Sequence, residues 1–219
     1  MNDLMPLRID LVSDVVCPWC VIGYRQFAKA FEHRADRIDL TLQWRAFELN
    51  PDMPAGGQDL REHVAEKYGA SAEQSASARE RLTSLGAELG FHFNYSDSMR
   101  MVNTFKAHKL LHWAKAYTLQ TALKQALFNA YFTDGRDVGD ESTLLAIALS
   151  VGLPEAGVSE ALASAELDAA VRAEEKRWYQ EGIHGVPTFI VNEQYTLQGA
   201  QGEAAYGRML DSLLSRHAA

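Results

Sequence analysis

The sequence predicts an α/β fold: a four-stranded mixed sheet drawn from the two ends of the chain, with a large all-helical insertion between them. Three observations carry this. Alternating apolar and polar residues near both ends read as strands, and the long middle reads as helix. The element order is therefore β-α-β, a helical block, then β-β-α. Finally, the two strand-bearing ends, joined directly, would make one sheet flanked by helices.

Each element has its own signal. Residues 7–13 alternate as a strand, with an extra apolar residue near the end. Residues 21–31 are helical, with Tyr24, Phe27 and Phe31 spaced for one face. Residues 40–47 alternate again. From about 60 to 182 the pattern is helical. Ser71 and Gln74 form a capping-box signature, Leu82, Leu85 and Leu89 follow at helical spacing, and Gly90 suits the stop. Asn103 is placed to cap a helix running to about Tyr117. Further helices are expected at 120–132, 141–151, 155–163 and 165–181, punctuated by Gly152, Pro154 and Gly182. Residues 186–192 and 194–198 return to strand, and the short Asn192-Glu193 link predicts a hairpin. A last helix over 203–216 carries Tyr206, Met209, Leu210, Leu213 and Leu214 on one face. The expected organisation is thus one unit from residues 1–55 and 183–219, with 56–182 an inserted helical domain placed to cover one end of the sheet.

Composition narrows the function classes. A chain of 219 residues that is 47% hydrophobic can build its core without staples. Its formal net charge is −8 and its cations are spread singly. Nucleic acid and anionic membrane surfaces reward a concentrated basic patch, so neither is expected as a partner. The acidic start lacks the features of a secretory signal, and no apolar stretch is long enough to span a bilayer, so a cytoplasmic location is expected.

The two cysteines, Cys17 and Cys20, stand in Cys17-Pro18-Trp19-Cys20. A structural disulfide gains least from so short a loop, and the cytosol keeps such bonds reduced. Redox or metal chemistry remains. Only a thiolate is nucleophilic, and a thiol with the ordinary pKa of about 8.5 is mostly protonated at neutral pH. Cys17 falls between the first strand and the first helix, where unpaired N–H groups and the helix dipole favour an anion. Pro18 falls at the first helical position, where its missing N–H is no loss. Cys20, one turn on, suits a more buried resolving thiol. Trp19 offers one indole N–H and no charge, which predicts a less oxidising centre than His would give there. A zinc site would need four ligands; His108 and His112, one helical turn apart, could complete such a set, but the lack of a second Cys-x-x-Cys argues for no metal. Gly185-Val186-Pro187-Thr188-Phe189 is the second constellation: Pro187, after a Gly and at a strand start, suits a cis peptide, although a trans Pro opening a strand is the commoner case.

In this order, CPWC after a first strand, a helical insertion, and GVPTF before a terminal hairpin and helix resemble the DsbA-like thioredoxin superfamily. The finer match is to its cytoplasmic FrnE-like branch. Residues 13–20, Asn103 to His108, Tyr131-Phe132 and Gly199-Ala200-Gln201 support it, and the likeness covers nearly the whole chain. The resemblance implies a thioredoxin-like fold and thiol–disulfide exchange on protein or small-molecule disulfides. It makes Cys17 the nucleophile, Cys20 its partner, and Pro187 the facing cis-proline, with Pro18 and Trp19 in support. Val186 would offer backbone groups to an extended substrate, like a strand added at a sheet edge. No tightly bound cofactor is implied beyond the redox-active Cys17–Cys20 pair; glutathione could serve as co-substrate. Related 2-hydroxychromene-2-carboxylate isomerases and kappa-class glutathione transferases make an isomerase or transferase the first alternative, although they use a Ser near this position and Cys17 and Cys20 depart from that pattern. A non-catalytic, redox-sensing binding module is the second. Dimers are common in related folds, although no stripe here compels one.

Four further residues are candidate cleft contacts. His108 shares a stripe with Phe105 and Leu111; it is either a half-buried, hydrogen-bonded histidine or a cleft group able to shuttle a proton. Asp14 is either a turn residue or a proton acceptor for Cys20. Asn103 reads first as a cap, and Gln201 follows the terminal hairpin. His184 reads as loop surface, and Trp113, Tyr117, Phe132 and Trp178 as core.

Overall fold

The computed structural model describes residues 4–218. In chain order the elements are β1 (Met5–Ser13), α1 (Pro18–Glu32), β2 (Ile38–Ala46), β3 (Gln58–Asp59), α2 (Leu60–Tyr68), α3 (Ala72–Glu88), β4 (Arg100–Met101), α4 (Phe105–Ala114), a 3₁₀ turn (Lys115–Tyr117), α5 (Gln120–Phe132), α6 (Glu141–Ser150), α7 (Glu155–Ala163), α8 (Ala165–Gln180), β5 (Thr188–Val191), β6 (Tyr195–Gln198) and α9 (Glu203–His217). The main sheet runs β2-β1-β5-β6. β1 and β2 are parallel, while β1–β5 and β5–β6 are antiparallel. This is the thioredoxin-like, four-stranded mixed sheet expected, with the helical insertion between β2 and β5.

The expected helices form close to their predicted limits. Ser71 and Gln74 make the reciprocal capping box. Asn192 and Glu193 both take positive φ (50° and 57°), the turn that matches strand twist in a two-residue hairpin. The helical pattern breaks over residues 89–104, where β4 pairs with β3 in a two-residue ribbon; paired segments this short leave no periodicity to read. Tyr117 is corrected as well. It is 42% exposed and rests on the Trp113 ring at 4.7 Å, because it falls in the 3₁₀ turn after α4 rather than on the buried stripe.

The core begins between the sheet and α1 with α9 and continues into the helices of the insertion, through Leu110, Leu127, Phe128 and Leu144. Phe27 of α1, Phe189 of β5 and Tyr206 of α9 meet as a buried aromatic cluster. On the other face Val12 and Ile190 join Phe47, Trp178 and Ile183 in a smaller cluster. An open β2 edge would expose unpaired backbone groups. Side chains of the insertion close it. Gln120 accepts from the Trp44 amide and donates to the Trp44 carbonyl, both at 2.9 Å, while Glu174 and Glu175 accept from the amides of Ala46 and Glu48. These polar bonds anchor α5 and α8 to the end of β2 that lies beside the cysteine turn.

Candidate active site

β1 ends at Ser13, and the chain turns through Asp14, Val15 and Val16 into α1. Cys17 is the N-cap of α1, in extended conformation, with Pro18 at the helix start. Its Sγ accepts from the Cys20 N–H at 3.3 Å, a donor that the Cys17 carbonyl shares at 3.1 Å, so the sulfur occupies the place of a capping oxygen. Across from it, the Cys17 thiol donates to the Val186 carbonyl at 3.7 Å, next to the cis Val186–Pro187 peptide bond. Gly23 permits this meeting of helix and loop: a Cβ there would lie 3.0 Å from Pro187 Cγ. Both cysteines are free thiols. Cys17 is 3% exposed and Cys20 fully buried. Burial pushes the Cys20 thiol well up, and the neighbouring Cys17 sulfur adds to this; the Lys124 charge and the Asp14 N–H act in the opposite direction. Trp19 is 38% exposed beside the pair, with the Arg81 guanidinium 5.8 Å from its ring centre.

Asp14 and His108 come together, but not as cleft contacts. Both are fully buried behind the cysteine turn. His108 Nε2 lies 3.1 Å from Asp14 Oδ1, which also accepts from Val15 N at 2.7 Å; Asp14 Oδ2 accepts from Leu49 N at 2.8 Å. Burial alone would raise this carboxyl, but the bond to and charge of His108, with the Leu49 amide, hold it below the ordinary value. Asp14 thus ties the cysteine turn to the exit of β2 and to α4. His108 is more deeply buried than a half-covered helix stripe suggests, because α4 packs against both the sheet and α7.

Asn103 and Gln201 do not join this group. Asn103 caps α4 from one position before the cap, accepting from Phe105 N at 3.0 Å, and donates to the Met53 carbonyl. Gln201 is exposed and donates to the Gln198 carbonyl of its own loop. His184 is exposed beside Tyr179. His112 faces Glu174 at 3.9 Å, away from the cysteines, and no group of three or more His, Cys, Asp or Glu is placed to hold a metal among the described residues.

Sequence reasoning missed three residues. Lys124 of α5 is fully buried, its Nζ has no hydrogen-bond partner, and it sits over the rings of Trp44 (5.3 Å) and Phe128 (5.0 Å). The available signal was a lone cation on the Leu127-Phe128-Tyr131 stripe. Tyr68, 61% exposed, and Tyr95 border the Cys17 side: burial pushes both phenols up, and the Cys17 charge adds to it. Nothing in their local pattern marks them.

A strand-to-helix cysteine pair facing a cis X-Pro bond directs comparison to proteins of the same build. The DsbA-like thioredoxin domain family matches residues 8–210. This chain belongs to that family. It is similar to the crystal structure of a probable DsbA oxidoreductase from Streptomyces coelicolor, with 32% identity and a TM-score of 0.89 over 95% of this chain and 90% of that one. The uncharacterized protein YwbO of Bacillus subtilis is 27% identical over 207 residues, 94% of this chain and 96% of that protein. Two more distant structures share the fold: a 2-hydroxychromene-2-carboxylate isomerase (16% identity, TM-score 0.69, 96% of both chains) and the cytosolic disulfide reductase DsbM of Pseudomonas aeruginosa with GSH (17%, 0.63, 95% and 99%). Among the described residues no helix is long and apolar enough to cross a membrane.

Proposed function

We propose that this protein is a thiol–disulfide oxidoreductase of the FrnE-like kind, exchanging Cys17 and Cys20 between dithiol and disulfide. The observation that carries the reading is the Cys17 Sγ at the N-cap of α1, bonded to the Cys20 N–H and facing the Val186 carbonyl. Cys17 attacks a substrate disulfide, forming a mixed disulfide and releasing one substrate thiol. Cys20 then attacks Cys17 Sγ, which closes the internal disulfide and releases the second thiol. The reverse sequence oxidises a substrate dithiol. A substrate arriving along Val186 takes over the carbonyl that Cys17 holds in the reduced protein, and so uncovers the sulfur.

The substrate class is a protein, peptide or small-molecule disulfide. Glutathione is a reasonable reductant, since DsbM shares the fold and is described with GSH. A cytoplasmic setting fits an exchange centre with no other cysteine to protect. Insulin reduction and free-thiol counts test the reading. Activity should vanish in Cys17→Ser, and full activity in that variant refutes it. Turnover of an aromatic electrophile with glutathione that survives loss of Cys20 would instead establish the isomerase-type alternative.

A further inference from the structure

Lys124 has no part in the exchange as described so far, yet it is the least expected side chain in the molecule. A buried amine is normally paired. Lys124 is completely buried with its Nζ unbonded. Asp14 makes no hydrogen bond to it; its oxygens accept from Val15 and Leu49, and Oδ1 also meets His108. Two aromatic faces, Trp44 and Phe128, cradle the ammonium without neutralising it. The charges that Lys124 feels are those of Cys20, then Asp14, then Cys17. Trp44, which the amine faces, packs against Tyr24 of α1 at 4.8 Å between ring centres, and Tyr24 is one helical turn after Cys20, so the amine lies beneath the first turn of α1.

We propose that Lys124 is a positioning residue for the redox pair: its buried ammonium is the internal counter-cation of the Cys20 thiolate while Cys20 displaces substrate from Cys17. This rests on the dithiol reading above and deepens it. In the step concerned, Cys20 as thiolate attacks Cys17 Sγ. The Cys17–substrate S–S bond breaks and the Cys17–Cys20 bond forms. The electron pair leaves on the substrate sulfur, and the proton lost by Cys20 ends on the departing substrate thiol. Lys124 keeps its charge throughout. Its role is to make an anion tolerable at a sulfur with no access to water.

The other titratable groups around the pair do not substitute for it. Tyr206 of α9 and Tyr95 are pushed up by burial and stay neutral through the working range. Tyr68 lies at the exposed rim, and His108 is committed to Asp14. Burial draws the Lys124 amine down to about 8 against the pull of Cys20, Asp14 and Cys17, so it still carries its charge at neutral pH.

The test reads Cys20 directly. In a Cys17→Ser background, the ultraviolet absorbance of the Cys20 thiolate is followed against pH, with and without Lys124→Met. Removing the cation should move the titration up by about one pH unit or more, lowering the thiolate fraction on its rising limb by about tenfold. An unchanged profile in a folded variant overturns the proposal. Lys124→Gln serves if the Met variant does not fold. The wild-type protein gives an independent reading: followed by NMR of ¹³C-labelled lysine, Lys124 should titrate at higher pH in the reduced than in the oxidised protein, because coupling is reciprocal. Equal midpoints overturn the proposal. Failure of the dithiol reading is separate, since it shows as a wild-type protein that forms no Cys17–Cys20 disulfide.

Discussion

Replacing Asp14 by Asn keeps the shape of the side chain and reverses half of its bonding. Both carboxylate oxygens accept backbone N–H groups, from Val15 at 2.7 Å and Leu49 at 2.8 Å, and Oδ1 also meets His108. An amide has one accepting oxygen and one donating nitrogen. In either orientation its NH₂ must face a backbone N–H, in a site with no water to take either donor. The change loses a charge-assisted bond and strands a buried donor, together about 3–5 kcal/mol. For a chain of this length that lowers Tm by about 6–20 °C. Thermal and urea unfolding followed by circular dichroism measure it. A loss below about 1 kcal/mol would refute the reasoning. The coupling to His108 is checked by a double-mutant cycle, in which Asp14→Asn with His108→Gln costs less than the sum of the two. The sign with pH follows from the lowered folded-state value. Asp14's contribution is present above the unfolded carboxyl value of about 3.9 and lost as pH falls through the folded one. Wild-type stability should therefore fall more steeply than that of Asp14→Asn on acidification below about pH 4.

Three further outcomes are expected. Cys20→Ser should leave Cys17 trapped as a mixed disulfide with its substrates, recoverable by mass spectrometry; a variant that turns over normally contradicts the resolving role. Trp19→His should raise the reduction potential measured against glutathione, with about 30 mV for each tenfold stabilisation of the reduced form; an unchanged potential would show that this position does not tune the pair. Gly86→Ala should destabilise by about 1–3 kcal/mol, because its Cβ would fall 2.5 Å from the Phe93 ring and 2.8 Å from the Phe91 carbonyl; chemical denaturation reads this, and a neutral result would mean that the loop after α3 yields freely.

The strands, the helices and the placing of Cys17 and Cys20 at a strand-to-helix turn are local matters. Period-2 and period-3.6 patterns, a capping box and a Pro after a Cys each act within a few residues, so the amino-acid order alone determines them. That the two ends share one sheet was legible as well, since neither end has enough strands to stand alone. The tertiary structure decided what lies behind the cysteines. Asp14, Leu49 and His108 are up to 94 residues apart and meet only because α4 packs beneath the β1–α1 turn. Lys124 carried a faint mark, a cation on an apolar stripe. Its isolation, with its ammonium held against the rings of Trp44 and Phe128, depends on how α5 packs on β2. The charge environment of a buried group sums contributions from every element packed around it. No local pattern encodes that sum, and so the sequence shows where the thiols stand while the fold sets what faces them.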